Sequence, residues 1–263
     1  MKHALLVPPS GELCDPHVLM ELAVAAEAAG WDGFFVWDHL MRPPVEPGDI
    51  ADPWIALAAI ATATSTIRIG SMITPPVRRR PQVLAKQATT LDHLSGGRLT
   101  LGLGLGVDSY HELSGFGEVV DARARGDVLD EAAELLVELW SGEEVHHRGP
   151  VFAADGVRLL PVPVQQPRIP LWFAARGDAR RPVRRAARYD GLFPVEVDAA
   201  KLGRMVELVV AERGSLDGFD VCVELDELGG ADPTSLGVTW ALVQLIGGVT
   251  RAEVAARIAS GPN

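Results

Sequence analysis

Asp38 and His39 stand side by side at the end of an apolar run, GFFVW at 33–37. A histidine exchanges protons near neutrality, and a neighbouring carboxylate holds its tautomer or raises its pKa. Adjacent side chains of a regular strand point to opposite faces. The two residues therefore act together only if the strand frays here; otherwise Asp38 caps a turn and His39 packs under a loop. Gly102, Gly104 and Gly106 alternate in RLTLGLGLG at 98–106 and strip one face of side chains. The bare face admits either a flat ring or the close approach of another backbone. It is not the dinucleotide fingerprint, because DSYHE follows Val107 where an apolar helix should begin.

Residues 70–76, GSMITPP, break off with Ser71 and Thr74, which either line a pocket or make the turn. Arg78, Arg79 and Arg80 come next, ahead of a helix opened by Pro81. They read either as a receptor for an anionic tail or as a solvated face. FAARGDA at 173–179 brings free backbone amides to a helix start, a seat suited to a phosphate. His146 and His147 have no carboxylate or cysteine at ligand spacing and read as surface residues. Glu196, Glu224 and Asp226 would serve a hydrolase, but no metal-ligand spacing, P-loop, G-x-S-x-G elbow or H-E-x-x-H is present, so no metal is expected.

These residues need elements to position them. Apolar runs at 3–8, 33–37, 67–73, 98–106, 170–175, 191–196, 220–225 and 236–243 read as strands. Helical patterns lie between them, from the Asp15 cap to Gly30, then at 53–65, 81–94, 124–141, 178–189, 198–213 and 250–259. Residues 142–168 form a turn-rich excursion with room for a hairpin. Strands apolar on both faces, alternating with helices, imply α/β architecture and a parallel sheet. Eight such units in 263 residues point to a single-domain (β/α)₈ TIM barrel over 1–263, with an open doubly wound sheet as the runner-up. In a barrel, chemistry collects at the C-terminal strand ends. That places Asp38, His39, Ser71, Thr74, Gly106, Arg176, Gly177, Glu196 and Asp226 on the functional face, and Ser95–Arg98 on the opposite, stabilising one.

Composition narrows the partners. A hydrophobic fraction of 48% fits a folded chain, and a net charge of −11 disfavours nucleic acid. No apolar run is long enough to span a membrane. Two cysteines, Cys14 and Cys222, cannot build a disulfide framework, so a cytoplasmic location is expected.

Several stretches together resemble the bacterial-luciferase-like family of flavin- and deazaflavin-dependent oxidoreductases. They are AAEAAGWDGFFVWDHL at 25–40, DPWIALAAIATATSTIRIGSMITPP at 52–76 and RRPQVLAKQATTLDHLSGGRLTLGLGLG at 79–106, then ELSGFGE at 112–118, ARYDGLF at 187–193, LGVTWALVQL at 236–245 and the final RIASGPN. The resemblance implies a TIM barrel with either FMN or the deazaflavin coenzyme F420, acting as an oxidoreductase or a monooxygenase on a small-molecule substrate, in a homodimer. The W-D-H at 37–39 is most similar to the deazaflavin branch. Asp38 and His39 would face the reactive edge of the ring, with His39 moving the proton. Met72-Ile73, beside Ser71, would form a bulge behind the ring, often through a non-proline cis peptide. Thr74, Leu105 and Gly106 would contact the ring or its chain, and Ala175, Arg176, Gly177, Asp178 and Ala179 would seat the phosphate. Val107, Asp108, Glu112 and Trp240 would line the substrate pocket. Sugar-phosphate oxidising members carry a glutamate where Val107 stands, so a sugar phosphate is not the expected substrate. A barrel hydrolase and a non-catalytic cofactor carrier are the competing readings.

Overall fold

The computed structural model describes residues 1–42, 48–246 and 248–262; Asn263, which ends the matching RIASGPN stretch, lies outside them. In chain order the strands are β1 (Lys2–Val7), β2 (Gly33–Val36), β3 (Arg68–Thr74), β4 (Leu99–Leu103), β5 (Val145–Arg148), β6 (Ala153–Val157), β7 (Leu171–Arg176), β8 (Gly191–Val195), β9 (Asp220–Glu224) and β10 (Trp240–Gln244). The α-helices are α1 (Pro16–Ala28), α2 (Pro53–Ala63), α3 (Pro81–Ser95), α4 (Ala122–Trp140), α5 (Arg180–Ala187), α6 (Ala199–Arg213) and α7 (Arg251–Ala259).

Local chemistry starts most of these helices. Asp15 accepts from the His17 amide, Asp52 from those of Trp54 and Ile55, Asp121 from Ala124 and Asp198 from Lys201, while Thr250 and Glu253 form a reciprocal capping box. Such caps contribute about 1 kcal/mol each. Among the described residues only α3 and α5 lack a side-chain cap.

Eight parallel strands close into a barrel in the order β1-β10-β9-β8-β7-β4-β3-β2. The fold is therefore the expected TIM barrel rather than an open sheet. Its interior is packed, not hollow. Phe35, Trp172 and Trp240 meet with ring centroids 5.4–6.2 Å apart, with Met72, Phe193 and Cys222 around them. A larger apolar layer fills the space between strands and helices.

Two strand boundaries differ most from the sequence reading. The strand expected at 98–106 ends at Leu103, because the glycine run leaves the sheet. The last strand begins at Trp240 instead of 236, because a 3₁₀ turn at Thr234–Leu236 uses up the start of the apolar run. Two such turns, the first at Leu225–Leu228, make up the short connection between β9 and β10. The excursion does contain a hairpin, with β5 antiparallel to β6. It is tied back to the barrel where Asp92 of α3 accepts from the amides of Val164 and Gln165. At the N-terminal end, Arg98 donates to the carbonyls of Ala61, Thr64 and Ile67, joining α2 to the strands.

The glycines of β4 resolve the alternatives left open by sequence. A Cβ on Gly102 would lie 2.3 Å from the Ser71 carbonyl oxygen, and one on Gly104 would lie 2.7 Å from Ile73 Cδ1. Their bare face is filled by β3, whose register shifts between Ser71 and Thr74. The Met72–Ile73 peptide at this bulge is cis. Gly102→Ala should destabilise the fold by about 1–3 kcal/mol through overpacking. Urea denaturation reads this directly, and unchanged stability would show that the bulge yields freely.

Candidate active site

β2 ends at Val36, and beyond it the side chains of Asp38 and His39 go to different partners. Asp38 turns away from the mouth. Its carboxylate has no exposed surface and accepts from Thr74 Oγ1 at 2.6 Å, Arg79 Nη2 at 2.8 Å, and Trp54 Nε1 and Arg78 Nη2, both at 3.2 Å. Ser71 Oγ shares a 2.8 Å hydrogen bond with Thr74 Oγ1, and both hydroxyl residues are fully buried. Asp38, Ser71 and Thr74, expected against the ring, form one buried polar cluster. Arg78 and Arg79 are neither a solvated face nor a tail receptor, because the buried carboxylate needs their charge.

His39 takes the other direction. Its Nδ1 lies 2.9 Å from Glu112 Oε2. The other oxygen of Glu112 accepts from the amides of Leu40 and Met41. Burial pushes the Glu112 carboxyl up, but the hydrogen bond and charge of His39, the Arg78 charge and the Met41 amide outweigh it and hold the group below its ordinary value. An ionised carboxylate only accepts, so Nδ1 carries the proton and Nε2 is left to face outward. Trp37 and Tyr110 flank the imidazole, with centroids 5.9 and 5.0 Å away. The His39 side chain keeps 24% exposure while Glu112 keeps 2%. The arrangement has the parts that acid–base work by a histidine requires: an imidazole, a carboxylate on one nitrogen and partial exposure.

Glu112, expected in the substrate pocket, is hydrogen-bonded to His39 and to the two amides that follow it. Asp108 folds the loop that delivers it, accepting from the amides of Leu113 and Ser114. Arg125 of α4 donates to the carbonyls of Leu105 and Gly106, fixing the half-buried strand exit that also carries Val107. Sequence reasoning missed Tyr110, Trp54 and the roles of Arg78 and Arg79. No local spacing links them to 38 and 39, since Arg78 and Arg79 come from the loop after β3, Tyr110 from the loop after β4, and Trp54 from the start of α2.

A sequence model of the family described as "Luciferase-like monooxygenase" matches residues 5–226. The chain belongs to the luciferase-like monooxygenase family. An F420-dependent glucose-6-phosphate dehydrogenase of Gordonia bronchialis is 36% identical over 184 residues, covering 69% of this chain and 52% of that protein. An F420-dependent hydroxymycolic acid dehydrogenase of Mycobacterium tuberculosis is 32% identical over 87% of this chain and 59% of its own length. The chain therefore spans little more than half of these curated relatives. Among solved structures, an F420-dependent secondary alcohol dehydrogenase bound to an F420–acetone adduct superposes with a TM-score of 0.74 at 25% identity, covering 84% of this chain and 68% of that one. The monooxygenase RslO1 of Streptomyces bottropensis shares the fold, with a TM-score of 0.79 at 20% identity over 98% of this chain and 96% of its own.

The rest of the mouth is consistent with a luciferase-like enzyme that holds a phosphate-bearing cofactor. After β7, with Ala175 buried, the chain turns through Gly177 with open space where a Cβ would stand. Ala179 precedes α5 without a side-chain cap, and since Pro182 has no N–H the first turn offers an anion the amides of Arg180 and Arg181. Arg176 pairs with Glu196 at 3.2 Å and Asp178 with Arg204 at 2.7 Å. The donor set therefore fits a phosphate, with Arg204 offsetting the carboxylate beside it.

Other expected residues fall elsewhere. Trp240, expected at the substrate pocket, opens β10 at the opposite end of the barrel, where it is 1% exposed and donates to Asp220 Oδ1. The corresponding register partners, Lys2 and Cys222, place it in the lower packing layer. His146 and His147 do have carboxylate partners, a correction to the sequence reading. His146 meets Glu144 and Asp155, and His147 meets Glu131 and Glu138, because the hairpin and α4 bring them together. Among the described residues no three such side chains are grouped to hold a metal. Glu224 is half-buried and is pushed up by burial, then by the charges of Glu227 and Asp226.

Proposed function

We propose that this chain is an oxidoreductase that moves a hydride between a deazaflavin or flavin cofactor and a small organic alcohol or carbonyl compound. The observation that carries the reading is the His39–Glu112 pair at the C-terminal mouth of the barrel, with Nε2 of the imidazole left open. When bound, F420 or FMN would supply the hydride chemistry. The Ile73 bulge and the Leu105–Gly106 exit would flank the ring, and the amides of Gly177–Ala179 would hold the phosphate. His39 Nε2 would take the hydroxyl proton when an alcohol is oxidised and return it when a carbonyl is reduced. Glu112 would keep the imidazole oriented and stabilise its protonated form. Asp38 would act through position only, by anchoring the backbone of β2 to α2 and to Arg78 and Arg79.

The dehydrogenase reading is favoured over oxygen insertion because relatives above 30% identity include several F420-dependent dehydrogenases. Val107, in place of a glutamate, supports a substrate other than a sugar phosphate. Two further expectations go with the reading. Exposed Ile55 on α2 and Val83 on α3 support a homodimer, which sedimentation would reveal. The free thiols Cys14 and Cys222 support a reducing compartment such as the cytoplasm. Among the described residues no helix is long and apolar enough to cross a membrane.

Titration of the purified protein with F420 and with FMN, followed by fluorescence, tests the reading. Saturable micromolar binding of one of them is expected. No binding of either in excess would overturn it.

A further inference from the structure

Each strand of the barrel sends alternate side chains inward, and the last inward residue before the mouth is where a substrate is met. On β9, Val221 and Val223 pack outward against the helices, while Cys222 packs inward with Trp172 and Trp240. Glu224, two residues on, therefore faces inward. Its register partner is Leu242, itself an inward residue. On β10 the same alternation takes Trp240 and Leu242 inward and makes Gln244 the last inward residue. Trp37, Ile73, Ala174 and Val195 are the half-buried apolar residues packed on this interior, and Trp37 touches His39. Glu224 and Gln244 are thus polar groups set into an apolar opening shared with His39.

The fold uses neither of them. Nearby acids are engaged: Glu227 accepts from the amides of Glu196 and Val197, Glu196 pairs with Arg176, and Asp220 accepts from Trp240 and Thr239. Among the described residues the side chains of Glu224 and Gln244 have no hydrogen bond and no ion pair. A half-buried carboxylate without a partner is costly. Burial, and then the charges of Glu227 and Asp226, oppose its ionisation. A cation brought to it relieves both penalties.

We infer that Glu224, with Gln244 beside it, is a specificity residue of this mouth and selects substrates that carry a protonated amine away from the carbon that reacts. This rests on the oxidoreductase reading above and deepens it by naming the substrate class. β9 stands across the barrel from β2, with β1 and β10 between them. A substrate whose hydroxyl or carbonyl meets His39 therefore turns its far end towards Glu224. The carboxylate would accept one N–H of the ammonium and the Gln244 side-chain oxygen another, while Trp37, Ile73 and Val195 would cover the methylenes between. A carboxylate or phosphate at the same end would meet like charge and be rejected.

The test uses four probes of one length that differ only at the far end: pentanol, pentanediol, aminopentanol and hydroxypentanoate. Each is titrated by calorimetry into the whole chain, alone and saturated with F420 or FMN. Aminopentanol should bind about tenfold tighter than pentanol, as one hydrogen bond to a charged group allows. Pentanediol should fall between them and hydroxypentanoate should bind most weakly. Glu224→Gln should erase the advantage of the amine and the penalty on the acid, and Gln244→Ala should reduce the advantage. Circular dichroism would confirm that both variants are folded. A purely structural role would weaken all four probes equally, and that result would overturn the proposal. So would equal binding of amine and alcohol by the unaltered chain, an unchanged order in Glu224→Gln, or no binding of any probe at millimolar concentration. Failure of both F420 and FMN to bind would instead overturn the oxidoreductase reading, and the preference of the free chain among the probes would still decide the role of Glu224.

Discussion

His39→Ala should lower kcat by about two to four orders of magnitude, the usual contribution of a positioned acid–base group. Cofactor affinity should change little, because the proposed phosphate seat lies across the mouth on β7 and α5. Glu112→Gln should give a smaller loss, since an amide keeps the shape of the carboxylate but does not stabilise the protonated imidazole. Steady-state kinetics with separate cofactor titration distinguishes these effects. The two losses should not add, because the residues act as a unit. Glu112 also governs the pH at which the pair itself breaks. Its carboxyl is held below its ordinary 4.5, so the bond to His39 persists above that value and is lost as pH falls below it. Unchanged turnover in both variants would remove His39 and Glu112 from the chemistry.

The second large effect concerns stability. Asp38→Ala should cost about 3–5 kcal/mol, because it leaves two largely buried guanidinium groups without their counter-charge. Arg78 already has Nε and Nη1 without partners, so the remaining network has no spare acceptor to offer. The expected fall in Tm is on the order of 10 °C, readable by calorimetry. Asp38→Asn should do almost as much harm, since it keeps the volume but not the charge. If either variant kept its Tm and lost only turnover, Asp38 would be a reacting group and not an anchor.

The contrast between residues 38 and 39 shows how sequence and structure divide the work. Both follow the end of one apolar strand, and their side chains diverge. Nothing local says which of the two faces the mouth. That choice follows from the neighbours. Trp54, Thr74, Arg78 and Arg79 converge on one side of β2, and Glu112 arrives on the other. The arginine run illustrates the same limit. Three adjacent cations read as solvated because most such runs are, yet a buried aspartate 40 residues upstream claims two of them.

The periodicity of apolar residues, the aspartates before helices and the spacing of eight strands were enough to determine the barrel and which loops lie at its mouth. Those signals are local, and each acts within a few residues of where it is read. Tertiary structure alone decided that the glycines of β4 admit β3, that Trp240 belongs to the floor, and that Glu112 serves His39. These outcomes depend on which distant segments share a volume, and a low-dielectric interior makes each buried charge accept whatever partner the closed sheet brings within reach.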